Sequence, residues 1–216
     1  MTPDYVEKLT LLDISKNQLS AIPLEVYLLV NLKRLFIEDC QIQSTKNALQ
    51  NLVKLKSLSL ANNNLEETSL KRLPVQNLEG LNISGNHFKA LPSSIFSLQR
   101  LVVLFLNNNR LETLQGIGAL VSLTELNVDD NMLTELPDEI CLLVNIRLIT
   151  MANNRIGKTA KSHSGQSIPA DFLRNSDVGQ LKLTGNTITK TELMGFDGMD
   201  EFFRKRKNSL EAFCLD

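Results

Sequence analysis

Eight times along this chain one frame returns: an apolar residue, two open positions, an apolar residue, one open position, an apolar residue, two open positions and a polar turn residue. Leu101 to Asn109, LVVLFLNNN, shows it in full. The first letters fall at Leu9, Leu32, Leu55, Leu78, Leu101, Leu123, Ile146 and Val178, in steps of 23, 23, 23, 23, 22, 23 and 32 residues. A period carried by spacing rather than by identical residues outranks local propensity, because each copy is a unit that can bury its apolar face only against the next.

Within each copy two apolar residues alternate as the buried face of a short strand must: Leu12 and Ile14, Leu35 and Ile37, Leu58 and Leu60, Leu81 and Ile83, Leu104 and Leu106, Leu126 and Val128, Ile149 and Met151, Leu181 and Leu183. The turn position reads Asn17, Cys40, Asn63, Asn86, Asn109, Asn131, Asn154 and Asn186. An amide there can donate and accept inside the stack. This is the signature of a leucine-rich repeat. It predicts an α/β fold in one domain over 1–216, a right-handed β-α solenoid. A curved parallel sheet forms its concave face, and short helices or 3₁₀ turns its convex face.

The return segments carry Ile22-Pro23, Leu91-Pro92, Leu136-Pro137 and Ile168-Pro169, where the fixed φ of proline starts a turn whose N–H is not needed. The second and third returns lack proline at that place and the fifth is a residue short, with Gly116 and Gly118, so these three are expected to be least regular. The surplus before Val178 falls in Gly157 to Ser167, a small, polar, basic stretch that reads as a protruding loop. A solenoid exposes a sheet edge at each end. At 187–216, Leu193, Phe196, Met199, Phe202 and Phe203 at helical spacing predict a C-terminal cap with Asp197, Asp200, Arg204 and Lys205 toward water. Only Tyr5 and Val6 offer apolar cover before Leu9, so a monomer is expected with an N-terminal edge open to pairing.

With 23 basic against 24 acidic residues the net charge is -1, which gives no field to draw nucleic acid or an anionic membrane. Charges at Asp4, Glu7 and Lys8 break the apolar run a secretory signal requires, and no stretch reaches about 18 apolar residues. Cys40, Cys141 and Cys214 are odd in number and widely spaced, so a reducing, cytoplasmic location is expected.

From Leu91 to Pro137 the template LxxLPxxIxxLxxLxxLxLxxNxLxxLP stands in near-complete form, and in it the chain resembles the intracellular leucine-rich repeat proteins grouped with Ras-suppressor and Shoc-type scaffolds. The ending, with Gly185, Asn186, Gly198, Met199, Asp200, Phe202 and Arg204, is similar to the closing segment of small cytosolic members. The resemblance implies a binding scaffold in signalling, with a serine/threonine phosphatase regulatory subunit and a Ras-pathway scaffold both open.

Function is sought in the open positions, which project from the concave face. The central column reads Asp13, Phe36, Ser59, Asn82, Phe105, Asn127, Thr150 and Lys182. Two aromatics in a column expected to face water have the composition of interface anchors. Phe36 and Phe105 therefore lead, with Arg34, Glu38 and Asn82 around them and Glu125, Asn127, Asp129 and Asp130 as an acidic rim. Val103 is expected beside Phe105 only if the strand bulges. The alternative is that isolated apolar side chains are normal at a surface and that Phe36 covers the thin N-terminal end.

Asp129-Asp130 lacks further acidic ligands at loop spacing, and His87 and His163 stand apart, so neither a metal site nor a catalytic triad assembles. No cofactor loop of the glycine-rich kinds occurs. Arg204 to Lys207 is the one basic run, read as the solvated end of a cap helix, where cations suit the helix dipole, rather than as a nucleic-acid element. The expectation is a non-catalytic module that holds a protein partner on its concave face. The alternative is a regulatory or substrate-recruiting subunit of a larger enzyme assembly.

Overall fold

The computed structural model describes residues 6, 8–73, 75–157, 165–206 and 213–214, the last pair as backbone. Its core is a nine-stranded parallel sheet in strict chain order. The strands are β1 (Leu11–Asp13), β2 (Arg34–Phe36), β3 (Ser57–Ser59), β4 (Gly80–Asn82), β5 (Val103–Phe105), β6 (Glu125–Asn127), β7 (Leu148–Thr150), β8 (Gln180–Lys182) and β9 (Phe213–Cys214). Up to β8 each residue pairs with its counterpart one repeat on, so Leu12, Leu35, Leu58, Leu81, Leu104, Leu126, Ile149 and Leu181 form one row. From Leu35 onward that row is buried. A one-residue slip would turn the whole row to solvent, which is why the register repeats without error.

The turn amides stitch neighbouring repeats together. Asn109 is representative: its Nδ2 donates to the carbonyls of Leu106 at 2.9 Å and of Ile83, one repeat back, at 3.0 Å, while its Oδ1 accepts the N–H of Phe88 at 3.1 Å. Asn63, Asn86, Asn131 and Asn154 repeat the arrangement. Cys40 substitutes weakly, its thiol facing the carbonyl of Glu38 at 3.4 Å. One position before each turn residue the backbone is left-handed, at Lys16, Asp39, Asn62, Gly85, Asn108, Asp130, Asn153 and Gly185. Asparagine, aspartate and glycine, the residues that tolerate positive φ best, fill seven of these eight sites.

The convex side is built of 3₁₀ turns, Leu24–Leu28, Glu67–Leu70, Ile95–Ser97, Ile117–Ala119 and Asp138–Leu142, and one short α-helix, α1 (Ala170–Asn175). Pro23, Pro137 and Pro169 each sit at the N-cap, with φ of -54°, -70° and -58°. Of the three returns expected to be irregular only the second, at 44–50, lacks a helical turn; the other two are rescued locally. Ser69 bonds back to the N–H of Glu66, and Gly116 adopts φ 91°, where a Cβ would lie 2.5 Å from the ring of Phe96.

Both ends of the insertion pack against the body. Gly157, Gln166 and Ser167 are buried, and the Ser167 carbonyl accepts the N–H of Leu136 at 2.8 Å. Gln166 spans to the cap, its Oε1 accepting the N–H of Asp197 at 2.9 Å and its Nε2 donating to the Asp197 carbonyl at 3.2 Å. Gln166 and Ser167 therefore belong to the packed body, Gly165 is exposed, and 158–164 lie outside the described residues. The cap itself comprises α2 (Lys190–Met194) and α3 (Met199–Lys205), burying Leu193, Met199 and Phe202. Gly198, at φ 89°, joins the two, since a Cβ there would lie 2.6 Å from the Ala170 carbonyl. At the other end Leu11 is 39% exposed and Leu12 and Ile14 are half-buried, so the first repeat is thinly covered among the described residues.

Candidate functional site

Phe36, Ser59, Asn82 and Phe105 stand directly opposite one another across β2 to β5. Three strand spacings of about 4.8 Å put the two aromatics roughly 14 Å apart at the backbone. Between them the side chains are small, and the gap is a cleft of about 290 Å³ lined by Phe36, Glu38, Ser59, Asn82, Val103 and Phe105. It continues toward the start of the strands, past Ser57 and Gly80, into a second depression of about 490 Å³ edged by Lys33, Arg34, Lys56 and Glu79. Both phenylalanines are half-buried, each forming a wall rather than a free-standing knob.

Charge is unevenly placed along this trough. Its lower end carries Lys33, Arg34 and Lys56 against Glu79, with Lys56 Nζ 2.8 Å from the Glu79 carboxylate. Its upper end carries Glu38, which accepts a hydrogen bond from the Ser59 hydroxyl, and Asp39, whose Oδ1 accepts from Asn62 Nδ2 at 2.9 Å. The floor has few polar groups to spare. Besides Ser59, Asn82 Oδ1 is taken by the N–H and hydroxyl of Ser84. Every internal strand is already paired on both sides.

A leucine rich repeat family model matches residues 76–133. The structure superposes on an internalin C2 of Listeria monocytogenes with a TM-score of 0.74 at 19% identity, covering 98% of this chain and 82% of that one. The chain folds as a leucine-rich repeat solenoid. The plant peptide hormone receptor RGFR1 in complex with RGF2 is also similar, with a TM-score of 0.65 at 27% identity over 83% of this chain and 29% of that one. A curated relative, a probable serine/threonine-protein kinase, pats1, of Dictyostelium discoideum, is 30% identical over 139 residues. That alignment covers 59% of this chain, and the chain spans 4% of the relative's length.

Set on the repeat frame, the candidate residues separate. Arg34, Phe36, Glu38, Asn82 and Phe105 come together around the trough. Glu125 and Asn127 pair with Val103 and Phe105 and extend the same face by one strand. Asp129 and Asp130 are engaged in the ladder: Asp129 Oδ1 accepts the N–H of Ala152 at 2.7 Å, and Asp130 Oδ1 accepts from Asn153 Nδ2 at 2.9 Å. Val103 lies on the face of Phe105 with no bulge, because alternate residues of a strand share a side. The central column is also less open than its alternation implies, since Ser59 and Thr150 are buried beneath their neighbours. Ser57, Ser59, Gly80 and Val103 also line the trough, and none of them departs from the repeat when taken alone. The available signal was that the columns narrow to Ser, Ser, Gly and Asn in the two repeats between the aromatics.

The basic run is broken by packing. Arg204 and Lys205 are exposed, but Arg206 folds back onto the cap, its guanidinium 3.5 Å from the ring centre of Phe202. Its Nε donates to the Val178 carbonyl at 2.6 Å, and its two terminal nitrogens donate to Phe202 and Ser176. Burial pushes this guanidinium below its ordinary value. Cys40 and Cys141 are free thiols, Cys40 buried and Cys141 half-buried; burial, then Asp171 and Asp138, pushes the Cys141 thiol up. His87 lies apart from the trough, in a polar depression with Gln43, Asn64, Glu66, Thr68 and Ser69. His163 falls outside the described residues. Among the described residues no cluster of His, Cys, Asp and Glu is arranged to hold a metal ion, and no helix is long and apolar enough to cross a membrane.

Proposed function

We propose that this chain is a non-catalytic scaffold that holds a protein partner on its concave face, with Phe36 and Phe105 as anchors. Arg34, Glu38 and Asn82 surround them, and Glu125, Asn127, Asp129 and Asp130 form the flanking rim. One observation carries the reading: the two aromatics share one row and wall one cleft, although nothing in the repeat requires an aromatic there. Aromatic walls at the centre of a concave surface are where binding energy concentrates.

A cytoplasmic, monomeric protein of signalling complexes, akin to the Ras-suppressor and Shoc-type scaffolds, is the finer form of the proposal. The free thiols of Cys40 and Cys141 and the template at Leu91 to Pro137 support it. Locking of Arg206 into the cap weighs against nucleic acid as the partner. A second reading, a recruiting arm within a larger enzyme assembly, is favoured by the kinase relative, in which the similar stretch is a small part of a long chain.

Photo-crosslinking tests the binding face. A crosslinker at Asn127 is expected to trap a partner from cell extract. The trap should be lost on adding Phe36→Ala and Phe105→Ala, and should not appear with the crosslinker at Val144 on the convex side. Trapping from Val144 alone would move the binding face to the other side of the molecule.

A further inference from the structure

Resting on that reading, we infer that the occupant of the trough is an amphipathic α-helix lying antiparallel to the strands, with its C-terminal end at Arg34. The first argument is hydrogen bonding. An extended peptide brings unpaired N–H and C=O groups that must find partners once water is excluded. The trough offers few: β2 to β5 are paired on both edges, the Ser59 hydroxyl is given to Glu38 and Asn82 Oδ1 is occupied by Ser84, which leaves the Ser57 hydroxyl and the Asn82 amide nitrogen for a backbone that brings a donor and an acceptor at every residue. A helix satisfies its own backbone and asks only for apolar contact.

Dimensions agree. The walls at Phe36 and Phe105 are roughly 14 Å apart at the backbone, against a helix of about 10–12 Å across with its side chains. Small residues on the floor, Ser57, Ser59, Gly80 and Asn82, leave a cleft of about 290 Å³. That is the share of roughly ten liquid waters, displaced when a ridge of large apolar side chains drops in.

Charge sets the direction. Glu38 and Asp39 stand at the end where the strands finish, while Lys33 and Arg34 stand where they begin, with Lys56 and Glu79 neutralising each other. The positive N-terminal pole of a helix belongs beside the first pair and its negative C-terminal pole beside the second. Acidic side chains in the last turn would pair with Arg34 and Lys33. An acidic last turn is unfavourable in a free helix, so its selection would report this surface and not helix propensity.

The test is selection from two peptide libraries of about 14 residues, roughly 21 Å as helix, displayed against the full chain. One is patterned apolar at helical spacing, and the other is proline-interrupted and extended. The helical pool should enrich, with Asp or Glu in its last turn. The best helix should weaken about tenfold or more on Phe36→Ala/Phe105→Ala, a variant checked for unchanged circular dichroism and melting. Arg34→Glu should remove the acidic preference. Enrichment of the extended pool, of neither pool, or of helices indifferent to the double variant or lacking the acidic end would overturn the inference. If Asn127 crosslinking persists through any such result, the concave face stands and only the occupant is wrong; if both are lost, the broader reading falls as well.

Discussion

Replacing Asn109 by alanine isolates what one rung of the amide ladder contributes. Its Nδ2 serves the carbonyls of Ile83 and Leu106, yet neither would be orphaned by its loss. Asn86 also donates to Ile83, at 3.1 Å, and Asn131 to Leu106, at 3.0 Å. The N–H of Phe88 is different: Asn109 Oδ1 is its one acceptor among the described residues, and Phe88 is fully buried. An orphaned buried donor costs about 1–3 kcal/mol, and the void left by the amide adds to it, so a loss of roughly 2–4 kcal/mol is expected. Asn17 is the internal control. It bonds the Ile14 and Ser15 carbonyls from an exposed position in the first repeat, so Asn17→Ala should cost under about 0.5 kcal/mol. Urea denaturation followed by circular dichroism measures both. Equal losses, or less than about 0.5 kcal/mol for Asn109→Ala, would refute the rung-by-rung account.

Neighbouring residues of β5 should behave oppositely. Leu104→Ala, on the buried row, is expected to cost about 2–5 kcal/mol, while Phe105→Ala costs under about 1 kcal/mol and weakens partner capture; matched melting losses would remove Phe105 from the binding face. Arg206→Met keeps length but gives up the bonds to Val178, Ser176 and Phe202, so it should loosen the cap and raise amide exchange in α3. Retention on a polyanion column should stay unchanged, since Arg206 is not offered to solvent as part of a basic patch. Burial pushes the Glu67 carboxyl up, but the N–H groups of Glu67, Lys89 and Ala90 outweigh it, and the net position is below the ordinary value. A depressed folded value means stability that is complete above the unfolded value and lost as pH falls through the folded one. Glu67→Gln should flatten the stability curve below about pH 4.5, and a curve of unchanged slope would deny the N–H groups that role.

Spacing is the kind of information a solenoid writes into its sequence, which is why the rows, the register and the asparagine ladder are legible in the sequence alone. Each of those features depends on residues one repeat apart and nothing else. What could not be read depends on contacts outside the period. Gln166 and Ser167 are polar, small and follow a basic stretch, yet they are buried because the cap at Asp197 happens to supply Gln166 with partners 31 residues away. Arg206 sits in a run of four cations, and only the placing of Phe202 beneath it shows that one of the four is a structural residue. Asp129 and Asp130 read as an acidic rim, and only the neighbouring repeat shows that one oxygen of each is held, by the Ala152 N–H and the Asn153 amide.

The candidate site lies between these two cases. Phe36 and Phe105 are legible as exceptions because the repeat predicts what should stand in their column. Their partnership is not, since two exceptions three repeats apart could as easily be separate surface residues. What joins them is subtraction: Ser57, Ser59, Gly80 and Asn82 are small, so the face drops between the aromatics and two half-buried rings become two walls of one cleft. Filling that space is therefore as informative as removing a wall. A larger residue at Ser57, which stands half-buried between Arg34 and Gly80 in its row and lines the cleft, leaves the buried row beneath it in place. The concave face would keep both rings and all its charges and would still lose the cleft, so a binding site built on the trough must fail there while one built on the rings alone must survive.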